Sequence, residues 1–501
     1  MVFCLVIFVV ALTIGHSRKV GDFGAEPDFY GDYVVQADNI LAGRPYTLRH
    51  HPPGYTLILA GVSRFTHDYF AAGKIMSACA TASFGWFTYL LLKNLFGSRV
   101  ALATTILSLI AVVPFSYLAS TDMVGAFTII LALWVFLRRP VLTPWCVLLA
   151  GIFTGVAYLI RSQGIFVLVG VCVALMFVKT RKRTYQDHLL SFLIYASGFF
   201  LLTSPWLVSN WRTNGAAFAG TGHLQIALHF YHPLDDSVPL LDAFEFGSLF
   251  EVVMHDPPKL FKRYLNDVLL NYPGNLFVQA MRFPAYLFAG GGLLMLLGDL
   301  TRRRLVMLTV CLLGHLLLGL VGFQVRYYLF LFPCLFLFVC YFLFHRAVIT
   351  NLQLRRFPKA TLSWLLLTIL AACQTIDARY QTKGRLASEP RHLIEIADFL
   401  RQRSSPQDAI FALQPHYAHL AGIRHVFPVK QTPDTYIETA DHYLAKAKEI
   451  SARYIAYSDI EAKIWPGFKS LANPDTVPDG LRLIYHHKPS NTLIYEVNTN
   501  G

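Results

Sequence analysis

Three carboxylates, Glu26, Asp28 and Asp32, crowd the stretch EPDFYGDY in a chain of which only 15% is charged. Soon after, RHHPPGY sets His50 and His51 ahead of a Pro-Pro-Gly turn and Tyr55. Single charges then interrupt apolar sequence: Asp122 in LASTDMVGAF, Arg161 in AYLIRSQG, Arg212 in PWLVSNWR and Arg326 in QVRYYLFLFP. An ionisable residue beside an apolar run is costly unless it is paired or working. A carboxylate can take a proton from an attacking hydroxyl or amine, while Arg and His can stabilise an anionic leaving group. Such a set suits transfer of a sugar from a lipid phosphate. Direct displacement would invert the anomeric centre, with no need for the paired carboxylates of a hydrolase. Each residue also has a plainer reading, since acids solvate surface helices and arginines snorkel to an interface.

The acids need an element to hold them. In DFYGDYVVQADNIL, Tyr33, Ala37, Ile40 and Leu41 form an apolar stripe, and Asp28, Asp32, Gln36 and Asn39 a polar one. That pattern predicts a helix lying along a membrane surface, its acids turned to water, which Gly43 ends. Glu26 then has a solvent or capping role. PPKLFKRYLNDVLL carries Lys259, Lys262 and Arg263 on an amphipathic helix suited to anionic headgroups.

The rest of the chain supplies the frame. With 55% hydrophobic residues among 501, it is too oily for a soluble domain. Eleven segments reach or approach the length of a span, near residues 1–15, 69–92, 98–118, 123–137, 143–160, 164–178, 187–206, 283–299, 305–322, 327–344 and 360–374. Basic clusters fall in alternate connections, at Lys93 and Arg99, Arg138 and Arg139, Lys179 to Arg183, Arg302 to Arg304, and Arg346 to Lys359. The positive-inside rule makes those connections cytoplasmic. Loops 16–68 and 207–282, the corners at Asp122, Arg161 and Arg326, and the tail then lie outside, with Arg18, Lys19, Arg44 and Arg49 dissenting. The net charge of +13 is thus explained by a membrane surface, not by nucleic acid. All eight cysteines sit in or beside apolar segments without metal-site spacing. No Asn-x-Ser/Thr sequon occurs, which favours a bacterial inner membrane over a eukaryotic secretory one.

From Glu389 the tail alternates helical patterns (RHLIEIADFLRQR, TYIETADHYLAKAKEI) with strand-like runs (AIFAL, RHVFPV, RYIAYS, LRLIYHH, NTLIYEV). The expected architecture is a polytopic α-helical membrane domain over residues 1–374 and a small extracytoplasmic α/β domain over 375–501. No catalytic motif stands out in the tail.

The order of these pieces resembles the multispanning glycosyltransferases of the GT-C superfamily. It is carried by DFYGDYVVQADNILAGRPY (Asp28 to Tyr46), HPPGY (His51 to Tyr55), Asp122 at the next outer corner, GVAYLIRSQG, SPWLVSNW and VRYYLFLFP. The most similar group is the protein O-mannosyltransferase-like one, which includes the lipid A aminoarabinose transferases. The resemblance implies an inverting transfer from a polyprenyl-phosphate sugar to an outer-face lipid, glycan or protein. Asp28 takes the place of the acceptor-side base, with Asp32 as its rival, and Asp122 that of the second outer-loop acid. His51 stands where the aminoarabinose transferases carry a phosphate-contacting Lys; His50, Tyr55, Arg161, Arg212 and Arg326 complete the expected phosphate side. The oligosaccharyltransferase branch uses a divalent cation held by acids of both outer loops, a place that Asp28, Asp32 and Asp122 could fill with Mg or Mn. The mannosyltransferase-like branch often works without one.

Two other classes compete with a transferase. A transporter or flippase would show internal repeats and mid-membrane charges, whereas the acids here cluster in outer loops and no repeat is visible. A non-catalytic assembly subunit would bind the lipid carrier yet survive loss of Asp28.

Overall fold

Inside hydrocarbon a single segment satisfies its backbone only as a helix, and the apolar segments obey. The computed structural model describes residues 2–23, 26, 28–48, 51–139, 143–177, 184–218, 222–231, 246–281, 285–345, 361–426, 439–459, 462 and 466–498. Each of the eleven apolar segments is helical: Val2–Ser17, Tyr69–Phe96, Ser98–Val112, Thr121–Leu137, Pro144–Ile160, Gly164–Phe177, Tyr185–Asn214, Ala285–Gly298, Arg302–Leu318, Phe332–Phe344 and Thr361–Ala387. Among the described residues five helices have the length and apolarity to cross a membrane, or six if one bent pair is a single span. The expected count of eleven spans is therefore not reached by length. Val2–Ser17, Thr121–Leu137, Pro144–Ile160 and Gly164–Met176 are apolar but shorter.

The chain divides into two compact units. One comprises Met1–Arg18, Gln36–Gly220 and Lys262–Ala387 and holds all eleven apolar helices. Its last helix, Thr361–Ala387, runs on past residue 374, where the sequence suggested that the membrane domain ends. Glycines let its helices meet backbone to backbone, as is usual where lipid removes the hydrophobic drive. A Cβ on Gly151 would stand 2.1 Å from the Tyr195 carbonyl oxygen, and one on Gly198 2.4 Å from that of Leu148. Hydroxyls in these oily helices donate one turn back, Thr81 to Ser77 and Thr154 to Ala150, which spares them an unpaired burial. Arg18, a dissenter from the positive-inside pattern, follows the Val2–Ser17 helix but does not face solvent. It is 2% exposed, with its guanidinium 5.7 Å from the Phe70 ring centre and 5.6 Å from that of Tyr117.

The other unit comprises Lys19–Val35, Thr221–Phe261 and Ser388–Gly501. It contains the five strands expected from the tail: β1 (Ala409–Phe411), β2 (Arg424–Val426), β3 (Tyr454–Tyr457), β4 (Leu481–His487) and β5 (Thr492–Val497). They form one sheet in the order β2-β1-β3-β5-β4. β1 is parallel to β2 and β3, whereas β5 runs antiparallel to β3 and β4. Alternation along the strands gives the sheet two apolar faces. Phe411, Ile455 and Tyr495 meet Tyr443 and Ala447 of the Ala440–Glu449 helix. Ile410, Tyr454 and Ile494 meet Leu393, Ile396 and Leu400 of the His392–Arg401 helix. Val20 and Phe23 join this second layer, so residues 19–35 fold as part of the α/β unit.

Candidate active site

In the membrane unit, Ser120 caps the Thr121–Leu137 helix and sets Asp122 in its first turn, where a carboxylate complements the helix dipole. Asp122 is 2% exposed, and both of its oxygens are engaged. Ser120 Oγ donates to Oδ2 at 2.9 Å, and Arg161 Nη1 donates to Oδ1. Arg161 Nη1 also donates to Thr121 Oγ1 at 2.7 Å. The guanidinium lies 5.0 Å from the Tyr327 ring centre, and that of Arg326 lies 5.4 Å from the same ring. Arg326 Nε donates to Gln324 Oε1 at 2.8 Å. Two arginines from different segments thus share one aromatic ring, and one of them is tied to a buried acid. Gly125, one turn after Asp122, leaves room for this: a Cβ there would meet Arg161 Cδ at 3.1 Å.

The HPPGY stretch opens the Gly54–Thr66 helix, which the sequence reading left within a loop. Gly54 has a mechanical reason to be glycine. A Cβ would lie 2.7 Å from the Leu159 carbonyl carbon and oxygen, so the segment seats against the end of Pro144–Ile160, next to Arg161. Tyr55 is fully buried and His51 half-buried. Tyr46 donates its hydroxyl to the His51 carbonyl at 2.8 Å, and its ring stands edge-on to Trp206. Arg212 is exposed in the last turn of Tyr185–Asn214. His50 lies outside the described residues. Gln36, expected on a watery stripe, is 4% exposed, and its side-chain amide exchanges hydrogen bonds with the backbone N–H and hydroxyl of Thr47.

In the α/β unit, residues Phe29–Tyr33 form a π-turn, a wider coil common at functional sites, rather than a plain α-helix. Phe29, Tyr30 and Tyr33 are buried, Asp32 is half-buried and Asp28 exposed. The carboxylate oxygens of Asp28 and Asp32 come within 4.8 Å of one another, and the Asp28 side chain caps no helix N–H. Glu26 is fully buried, which excludes a solvent role, and its carboxylate accepts from the Asp22 N–H at 2.9 Å, an amide outside any helix.

Sequence reasoning missed what holds this segment. Glu389 accepts the backbone N–H groups of Lys19 and Val20 and pairs with Arg391 at 2.7 Å. The Tyr30 ring packs against His416 and His419, with centroids 4.5 and 4.9 Å away. Burial drives the His416 imidazole down to about 3, which keeps it neutral. His425 is also lowered by burial, while its ring bond to the Ala412 carbonyl (2.8 Å) and the charge of Asp32 oppose the fall. No short motif marks these partners, because they lie hundreds of residues from Asp28.

The family profile described as dolichyl-phosphate-mannose-protein mannosyltransferase matches residues 50–209, from His50 through Asp122 and Arg161 to Ser209. No curated protein matches the sequence. Among solved structures, ArnT from Cupriavidus metallidurans bound to undecaprenyl phosphate superposes with a TM-score of 0.62 at 14% identity, covering 99% of this chain and 97% of that one. The archaeal oligosaccharyltransferase AglB from Archaeoglobus fulgidus, in complex with an inhibitory peptide and a dolichol-phosphate, gives 0.55 at 12% identity, covering 99% and 74%. The mycobacterial arabinofuranosyltransferase AftD gives 0.50 at 13% identity; 99% of this chain matches 40% of that protein. At such identities the likeness is one of fold. The chain is a multi-pass membrane protein with the fold of the GT-C glycosyltransferases. Within it, the mannosyltransferase profile falls wholly on the membrane unit, on the segment that holds HPPGY, Asp122 and Arg161. The resemblance read from the motifs is borne out.

Proposed function

We propose that the protein is an inverting glycosyltransferase. It moves one glycosyl unit from a polyprenyl-phosphate-linked sugar to a lipid, glycan or protein acceptor on the outer face of a bacterial inner membrane, where its α/β unit also lies. The observation that carries this reading is that the profile-matched segment is the one in which Arg161 pairs with buried Asp122 while Gly54 seats against Leu159 and Ile160 just before it. The polyprenyl phosphates bound to ArnT and AglB support the donor class.

The acceptor O–H or N–H attacks the anomeric carbon, and its proton passes to the Asp28–Asp32 pair. The bond from that carbon to the phosphate oxygen breaks, and polyprenyl phosphate leaves with the electron pair. Its charge calls for cations, not a proton donor; Arg161, Arg326, Arg212 and His51, with His50, serve it, Arg161 being held in place by Asp122. Were a divalent cation used, Asp28 and Asp32 would hold it through hard carboxylate oxygens, and it would neutralise phosphate charge. Asp122, with both oxygens taken, fits that duty poorly.

The test is transfer by purified protein from a panel of labelled polyprenyl-phosphate sugars to membrane extract, with Asp28→Asn, Asp32→Asn and Asp122→Asn alongside. The reading fails if the three variants transfer as well as wild type. Donor that changes leaflet without being consumed points to a flippase.

A further inference from the structure

The α/β unit has no catalytic motif of its own, yet the acid-bearing segment is built onto it. Two residues between the acids make the attachment. Tyr30 is 2% exposed, with its ring against His416 and His419, and its hydroxyl accepts the Gly21 N–H at 3.1 Å. Gly31 lies so close to Pro415 that a Cβ would meet Pro415 Cγ at 3.3 Å. Phe23 also stands edge-on to His416, at 5.5 Å. All of this sits at the start of the short His416–Ala421 helix.

We infer that the Pro415–His419 turn is the positioning element for the Asp28–Asp32 pair, acting through Tyr30 and Gly31. This rests on the reading of that pair as the acceptor-side base. Asp28 stands two residues before Tyr30 and Asp32 one residue after Gly31, so the clamp grips the coil between the two carboxylates. Neutral His416 contributes as a flat apolar plate, not as an acid or base. A proton acceptor tolerates little displacement, since a shift of about 1 Å can cost on the order of a hundredfold in rate. Tyr30, Gly31, Pro415, His416 and His419 are therefore positioning residues, none of which has to touch the substrate.

A size swap tests this. In full-length protein, consumption of the labelled undecaprenyl-phosphate sugar that wild type uses is measured with membrane extract as acceptor, and split into kcat and donor KM. Gly31→Ala pushes the coil off Pro415 and should lower kcat by about tenfold with donor KM unchanged. Pro415→Ala in the same chain removes the obstructing ring carbons and should restore most of the loss. Tyr30→Ala should lower kcat likewise, and Tyr30→Phe, which keeps the ring, should recover much of it. Thermal unfolding and the folded fraction of each variant accompany the kinetics, so that a loss of folded enzyme is told apart from a loss of kcat. The inference is overturned if Gly31→Ala and Tyr30→Ala turn over like wild type while Asp28→Asn and Asp32→Asn do not. It is equally overturned if Pro415→Ala fails to restore Gly31→Ala. If both Asn variants are fully active, the base reading itself falls.

Discussion

Arg161 and Asp122 form a buried ion pair in which one guanidinium nitrogen also serves the Thr121 hydroxyl. Their side chains are 14% and 1% exposed, so neither charge has water to fall back on. Removing one partner of such a pair costs about 3 to 5 kcal/mol, whereas removing both costs far less than the sum. Arg161→Ala and Asp122→Ala should each lower the unfolding temperature in detergent sharply, and the double variant should be little worse than either. Additive losses would show that the pair is not coupled.

Gly125→Ala separates stability from function. Alanine in a helix gains about 1 kcal/mol over glycine, and mild overpacking costs about 1 to 3 kcal/mol, so the net change in stability is small. The new Cβ would press on the aliphatic part of Arg161, with Cδ at 3.1 Å and Cβ at 3.3 Å. Transfer should fall at least tenfold while the unfolding temperature moves little. An unchanged rate would remove Arg161 from the phosphate site.

Much of this was legible beforehand, for identifiable reasons. Hydrocarbon leaves an apolar run no choice but a helix, so each of the eleven segments was found, although helices such as Thr361–Ala387 and Tyr185–Asn214 run on well past their apolar part; strand runs such as YIAY and TLIYEV announce themselves by β-branched and aromatic residues. Local pattern could not say that Tyr30 packs on His416, nor that Arg18 is buried between Phe70 and Tyr117, since those contacts join distant parts of the chain. Gln36 was placed on a watery face although Ala37 beside it is buried as expected, because no local pattern shows that Thr47, eleven residues on, takes both ends of its amide.

His51 offers a test of the phosphate side. The motif resemblance would put it where the aminoarabinose transferases carry a Lys, and a fixed ammonium holds phosphate better than a neutral imidazole. His51→Lys should lower the donor KM several-fold and His51→Ala should raise it, with kcat changing less. Equal KM values across the three proteins would place His51 away from the donor.

Glu389 ties the acid-bearing segment to the α/β unit in a way that pH can undo. Burial pushes its carboxyl up, but Arg391 and the N–H groups of Val20 and Lys19 outweigh it and hold the group below 4.5. A carboxyl whose folded value is depressed contributes stability that is present above its unfolded value, near 4.5, and is lost as pH falls through the folded one. Asp408 and Glu496 act in the same direction. Asp408 is raised by burial but lowered further by Ser405 and Arg453, and Glu496 is lowered chiefly by Arg482. The α/β unit should therefore weaken as pH drops from about 5 toward 3. In Glu389→Gln the side-chain oxygen can still accept both N–H groups, as Oε1 does, but the charge and the acceptor for Arg391 are gone, at a cost of about 1.5 to 3 kcal/mol at neutral pH. Hydrogen exchange at the Lys19 and Val20 amides reads this directly. Their protection factors should fall in the variant at pH 7, and the gap between wild type and variant should narrow as the pH drops toward 3. A gap that stays constant with pH would mean that the carboxylate charge plays no part in docking the segment.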